Sequence, residues 1–130
     1  MKTSSARPCV LLVDDDPDGR HMYGAYLEYT GFTVMQAANG IEALRHAVEL
    51  RPDIILMDLS LPVMDGREAT RRLKADPRTA GIPVVALTGH TLAGDSHEAM
   101  QAGCDAFVTK PCLPEELVRK IRKILAAGTA

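Results

Sequence analysis

Asp14, Asp15 and Asp58 offer carboxylates, Thr88 a hydroxyl and Lys110 an ammonium, a set of groups suited to handling a phosphoryl group. Carboxylates gathered in one place repel one another and stay ionised together near neutral pH only where a cation or a lysine compensates their charge. An oxygen donor set without histidine or thiolate suits a hard divalent ion, Mg2+ with Mn2+ as a substitute. Such an ion is held by a few carboxylates, keeps several waters and completes its shell with a phosphate oxygen. An aspartate can attack phosphorus to form an acyl phosphate while the ion and fixed donors hold the remaining oxygens. Asp58 is the candidate nucleophile. Lys110 would supply a mobile positive charge and Thr88 a hydroxyl donor, so that with the ion every peripheral oxygen would have a partner.

These residues can cooperate only if the chain folds them together. Apolar runs at 9–13, 33–36, 54–57, 84–87 and 106–109 have the length and composition of buried strands. Between them apolar residues repeat at helical spacing: Met22 with Tyr26 and Tyr23 with Leu27; Ile41, Leu44 and Val48; Ala69 and Leu73; Ala99 with the less regular Met100; Leu117, Ile121 and Leu125. Asp16-Pro17 supplies an N-cap and a first-turn proline, Asn39 and Asp65 each precede a glutamate by three residues in the manner of a capping box, and Gly31 and Gly103 read as helix stops. Strand and helix alternating in this way predict an α/β fold, a parallel sheet of five strands with helices on both faces. Ligands of such sheets bind outside the carboxyl ends of the strands, where the strand order reverses. Asp14 and Asp15 close the first run, Asp58 the third, Thr88 the fourth and Lys110 the fifth, so all five should face one crevice.

Composition narrows the function. A chain of 130 residues, 46% hydrophobic and 25% charged, suits one domain with a single core, spanning 1–130 with loose ends at 1–6 and 128–130. The core is expected over about 8–126. A net charge of −2 argues against general nucleic-acid binding, which needs a concentrated basic face. No apolar run is long enough to cross a bilayer and the N-terminus lacks the apolar core of a secretory signal, so the expected location is the cytoplasm. Cys9, Cys104 and Cys112 have neither disulfide nor zinc spacing and read as reduced thiols. His21, His46 and His97 read as solvent-facing, whereas His90 falls near the crevice. Tyr23, Tyr26 and Tyr29 read as rings packed against the sheet, one partly exposed, and Arg119, Lys120, Arg122 and Lys123 as the wet face of a final amphipathic helix. Asp16 is left as a cap.

The ordered series Val13-Asp14-Asp15-Asp16, Met57-Asp58-x-x-Leu61-Pro62-x-Met64-Asp65-Gly66, Leu87-Thr88-Gly89 and Lys110-Pro111 resembles the bacterial response-regulator receiver domain over nearly the whole chain. The resemblance implies a flavodoxin-like doubly wound (βα)5 fold with strand order 2-1-3-4-5. It also implies that Asp58 accepts the phosphoryl group, that Asp15 binds Mg2+ directly and Asp14 mostly through water, and that the Ser60 backbone carbonyl is a further ligand. Thr88 would move to the phosphoryl group, Lys110 would pair with it through a loop with a cis Lys110-Pro111 bond, and Phe107 would be the aromatic that turns inward in the active state. Phe107 has no tyrosine hydroxyl, so its readout would rest on packing. Ser60 and His90 stand where the family tunes the lifetime of the phosphoryl group, and Cys112 where a phenylalanine is frequent.

The function implied is a two-component or phosphorelay switch. A histidine kinase or histidine phosphotransfer protein would donate the phosphoryl group, and the modified domain, a monomer or weak dimer, would engage or release a protein target. Its turnover would be confined to its own phosphorylation and dephosphorylation, so it is not expected to be an enzyme in the ordinary sense. An aspartate-nucleophile phosphohydrolase shares the chemistry but wants a second aspartate where Ser60 stands and an insertion to cap its substrate. A phosphorylation-independent adaptor on the same fold is the remaining alternative, less economical with Asp14, Asp15, Asp58, Thr88 and Lys110 all present.

Overall fold

Local caps set where each element begins and ends. The computed structural model describes residues 7–59, 61, 63–89, 93–109 and 112–128. Strand β1 (Cys9–Val13) leads to helix α1 (Pro17–Tyr29), whose first turn is closed by the Asp16 carboxylate accepting from the amides of Asp18 and Gly19. Gly31, at φ 109, turns the chain out of α1 into β2 (Thr33–Ala37), as a glycine can without steric cost. Helix α2 (Gly40–Leu50) is capped by Asn39, whose side chain accepts from the Glu42 amide as expected, while the Glu42 carboxylate accepts from the amide of Ala38 at 2.8 Å, one residue before the cap rather than the cap itself. Strand β3 (Ile54–Asp58), helix α3 (Gly66–Ala75), strand β4 (Val84–Thr88), helix α4 (Ala93–Ala102), strand β5 (Ala106–Thr109) and helix α5 (Pro114–Gly128) follow.

All strand pairs are parallel, in the order β2-β1-β3-β4-β5. The family resemblance implied this order. Strand β3 is buried at every position, which explains its uninterrupted apolar run. Alternation along the central strands divides the core in two. Leu11, Val13, Ile55 and Met57 face Ala43 and Ala47 of α2, Ala69 and Leu73 of α3 and Ala99 of α4. Val10, Leu12, Ile54 and Leu56 face Tyr23 and Leu27 of α1 and Leu117, Val118 and Ile121 of α5.

Two expectations are corrected. The fully buried stripe of α2 is Gly40, Ala43 and Ala47 rather than Ile41, Leu44 and Val48: Leu44 is only partly buried against that core, and Ile41 is half exposed. Small residues line that face because the helix lies close to its neighbours: a Cβ on Gly40 would stand 2.7 Å from the Met64 carbonyl oxygen. At α3 the Asp65 cap forms, its carboxylate accepting from the Arg67 amide at 2.7 Å. Glu68 does not complete the box, because Arg72 at 2.9 Å and Arg71 at 3.3 Å hold its carboxylate along the helix surface.

Candidate functional site

The sheet register assembles the site. Val13 pairs with Met57, so Asp14 continues β1 level with Asp58 on the neighbouring strand, and its amide still donates to the Ala37 carbonyl at 3.1 Å. Asp58 pairs on its other side with Leu87, which puts Thr88 one step further along β4. Strands β1 and β3 are also where the order reverses, the connection from β1 running to one side and that into β3 returning across it. The apolar runs therefore end short of the true strand ends, since Asp58 and Thr88 still pair in the ladder while carrying polar side chains.

One carboxylate oxygen each from Asp14, Asp15 and Asp58 lies within 4.8 Å of the other two. Asp14 and Asp58 are buried, at 1% and 6% exposure, and Asp15 is exposed. Unit charges this far apart repel by roughly 3–4 kcal/mol per pair at an effective dielectric constant of about 20, which a divalent cation among them would reverse. Ligand oxygens around Mg2+ lie on the order of 3 Å apart in adjacent positions and about 4 Å in opposite ones. The cluster fits such an ion with a small inward turn of its side chains, and Asp15, open to solvent, leaves room for coordinated water.

Other elements hold these side chains in place. Asp14 Oδ1 accepts from the Asp16 amide at 2.9 Å, and the Asp14 carbonyl accepts from Arg20 Nη1 at 2.7 Å. Arg20 was not singled out in the sequence, because its contact depends on how the loop after β1 folds over α1. The start of α3 lies directly on the end of β3: a Cβ on Gly66 would collide with the carbonyl of Asp58, so glycine is required where Asp65-Gly66 closes the loop. Val63 in that loop adopts φ 69, unusual for a β-branched residue.

Thr88 is buried at 3% exposure at the end of β4, and Phe107 is 38% exposed on the edge strand β5. Thr109 pairs with Thr88, so Lys110 directly follows the last paired residue of β5. Lys110, Pro111, Ser60 and His90 lie outside the described residues, and with them the cis peptide and the carbonyl ligand. Next to that loop, the Tyr23 hydroxyl donates to the Cys112 carbonyl at 3.2 Å and so ties α1 to the chain two residues past Lys110. Tyr23 is buried as expected, whereas Tyr29 is 86% exposed, more open than a partly covered ring. His46 departs from the solvent-facing expectation: it is half-buried and its Nδ1 is shielded with no hydrogen-bond partner.

The chain belongs to the response regulator receiver domain family, whose model matches residues 10–122. It is similar to the DNA-binding dual master transcriptional regulator RpaA of Synechocystis, with 40% identity over 118 residues, 91% of this chain and 49% of RpaA. It is also similar to the polar-differentiation response regulator DivK of Brucella anthropi, 36% identical over 116 residues that make up 89% of this chain and 94% of DivK. The chain thus spans about half of the first relative and nearly all of the second. Among solved structures it resembles the receiver domain of the sensor histidine kinase PA1611 from Pseudomonas aeruginosa PAO1, a structure with a magnesium ion coordinated in the active site cleft. That match has a TM-score of 0.87 and 38% identity, and covers 93% of this chain and 99% of that one.

Proposed function

We propose that the chain, as one receiver unit, accepts a phosphoryl group on Asp58 from a histidine kinase or histidine phosphotransfer protein and thereby switches its binding to a protein target. The observation that carries this reading is the triad of carboxylate oxygens within 4.8 Å at the strand-order reversal. Asp14, Asp15, Asp58 and the Ser60 carbonyl would hold Mg2+, or Mn2+ in its place, with Asp14 acting mostly through water. The ion bound in the similar PA1611 domain supports that assignment. When bound, the ion supplies charge neutralisation at the transferring phosphoryl group.

Asp58, buried among the strand ends, attacks phosphorus in line with the departing imidazole nitrogen; a phosphorus–oxygen bond forms, the phosphorus–nitrogen bond breaks and the electron pair leaves with the imidazole. Thr88 donates its hydroxyl to one phosphoryl oxygen and Lys110 pairs with another. Withdrawal of Thr88 toward the acyl phosphate empties space beside β4 that Phe107, outward on β5, fills by turning in, and the face around α4, β5 and α5 changes shape for a partner. Phosphorylation biases the two arrangements of the unit, which performs no turnover beyond gaining and losing this group. The assigned setting is the cytoplasm, with the chain a monomer or weak dimer; among the described residues no helix is long and apolar enough to cross a membrane.

Incubation with acetyl phosphate and Mg2+, read by intact mass, tests the proposal. One phosphoryl adduct is expected, absent with chelator and absent in Asp58→Asn. Retention of the adduct in Asp58→Asn would refute the acceptor. Failure of the wild-type chain to form an adduct, or to bind beryllofluoride as its stand-in, would favour the phosphorylation-independent adaptor.

A further inference from the structure

We propose that Arg20 is a positioning residue for the metal-binding loop, holding the Asp14 main chain through a brace that runs from α1 to β2. The inference rests on the metal-dependent phosphorylation proposed above. Arg20 Nη1 donates to the Asp14 carbonyl at 2.7 Å, and its Nε donates to Gln36 Oε1 at 3.2 Å. One planar guanidinium therefore spans the end of β1 and Gln36 on the α1 side of β2, a geometry a lysine ammonium cannot copy with a single nitrogen. Gln36 reaches this position because Gly24 of α1 carries no side chain: a Cβ there would stand 3.2 Å from Gln36 Nε2.

Asp14 is held at other atoms as well. Its Oδ1 accepts from the Asp16 amide two residues on, and its own amide donates to Ala37. Arg20 holds the carbonyl of the peptide joining Asp14 to Asp15, the main-chain link that bears on the relative directions of both carboxylates. Arg20 and Gln36 also border a polar cleft of about 250 Å³ with Ala37, Ala38 and Glu42, so water competes for their hydrogen bond and makes the brace a device of orientation rather than of bulk packing.

Charge and position predict opposite signs. A guanidinium near the acidic cluster repels a divalent cation, so if its charge alone mattered, its removal would tighten Mg2+ binding. If it positions the loop, its removal weakens binding, by about tenfold on the scale of groups that orient metal ligands. The experiment titrates Mg2+ into wild type, Arg20→Ala, Arg20→Lys and Gln36→Leu by amide NMR shifts, with circular dichroism confirming that each variant is folded in the absence of metal. Weaker binding in Arg20→Ala, incomplete rescue by Arg20→Lys, and weakening in Gln36→Leu, which keeps the arginine charge, are expected. Equal or tighter binding in Arg20→Ala overturns the proposal, and unchanged binding in Gln36→Leu overturns the brace. If Arg20→Ala fails to fold, the other two variants decide. A wild type that binds no Mg2+ instead defeats the functional reading itself.

Discussion

Cys104 is 4% exposed behind the sheet, its Sγ 3.9 Å from the Thr70 hydroxyl. Burial pushes its thiol above the ordinary value, and the nearby Asp105 carboxylate adds to the shift while the Thr70 hydrogen bond and Lys74 oppose it. The folded state thus prefers the neutral thiol. Its contribution to stability is fully present below the unfolded thiol pKa and is lost as pH rises through the raised folded value. Urea unfolding should show a decline in the alkaline range that Cys104→Ala abolishes; a decline of the same size in the variant would assign it elsewhere. In the folded protein, a thiol reagent should label half-buried Cys9 and Cys112 ahead of Cys104. At this scale the residues on strand ends were legible, because each followed an apolar run. Arg20 and Lys74 were not: Lys74 Nζ meets the Ile82 carbonyl at 2.9 Å and Asp105 Oδ2 at 2.9 Å, partners that only the folded chain brings within reach.

Among elements, the loop between β3 and α3 carries constraints of opposite kinds. Val63 holds a positive φ with a branched side chain, 79% exposed, so Val63→Gly should raise stability by about 1 kcal/mol through relief of backbone strain. Gly66→Ala should lower it by about 1–3 kcal/mol, since the added methyl has the Asp58 carbonyl in its way. Denaturant midpoints check both. Gly66→Ala should also slow phosphorylation at saturating Mg2+, whereas Val63→Gly tests strain alone. Helix existence and caps were readable from Asp16, Asn39 and Asp65, but the packed face of α2 was not. Periodicity weighs large apolar residues, and this helix approaches so closely that glycine and alanine form its buried stripe while Ile41 faces water.

For the molecule as a whole, the sheet is a partition. Ile55 belongs to the layer shared with α2, α3 and α4, and Ile121 to the layer shared with α1 and α5. Ile55→Val and Ile121→Val should each cost about 0.5–1.5 kcal/mol. Their double variant should add to within about 0.5 kcal/mol, because they belong to separate core clusters on opposite faces of the sheet. A larger discrepancy in urea unfolding would mean that strain crosses the strands. The alternation of apolar runs and helical stripes was enough to foresee the parallel sheet and the edge at which Asp14, Asp15 and Asp58 meet. Strand order came from family likeness, since no local pattern records which strand becomes the centre.

The direction of travel of the chain has a further effect. Strand β1 starts where Pro8 and Cys9 accept amides from Thr33 and Asp53, and α5 comes back to that same pole, with Arg122 donating to the Thr30 carbonyl and lying over the Phe32 ring. The acidic crevice occupies the other pole. The start of β1 and the later turns of α5 therefore share the pole away from Asp58, so the folded unit keeps both of these elements at the back and its acidic crevice at the front.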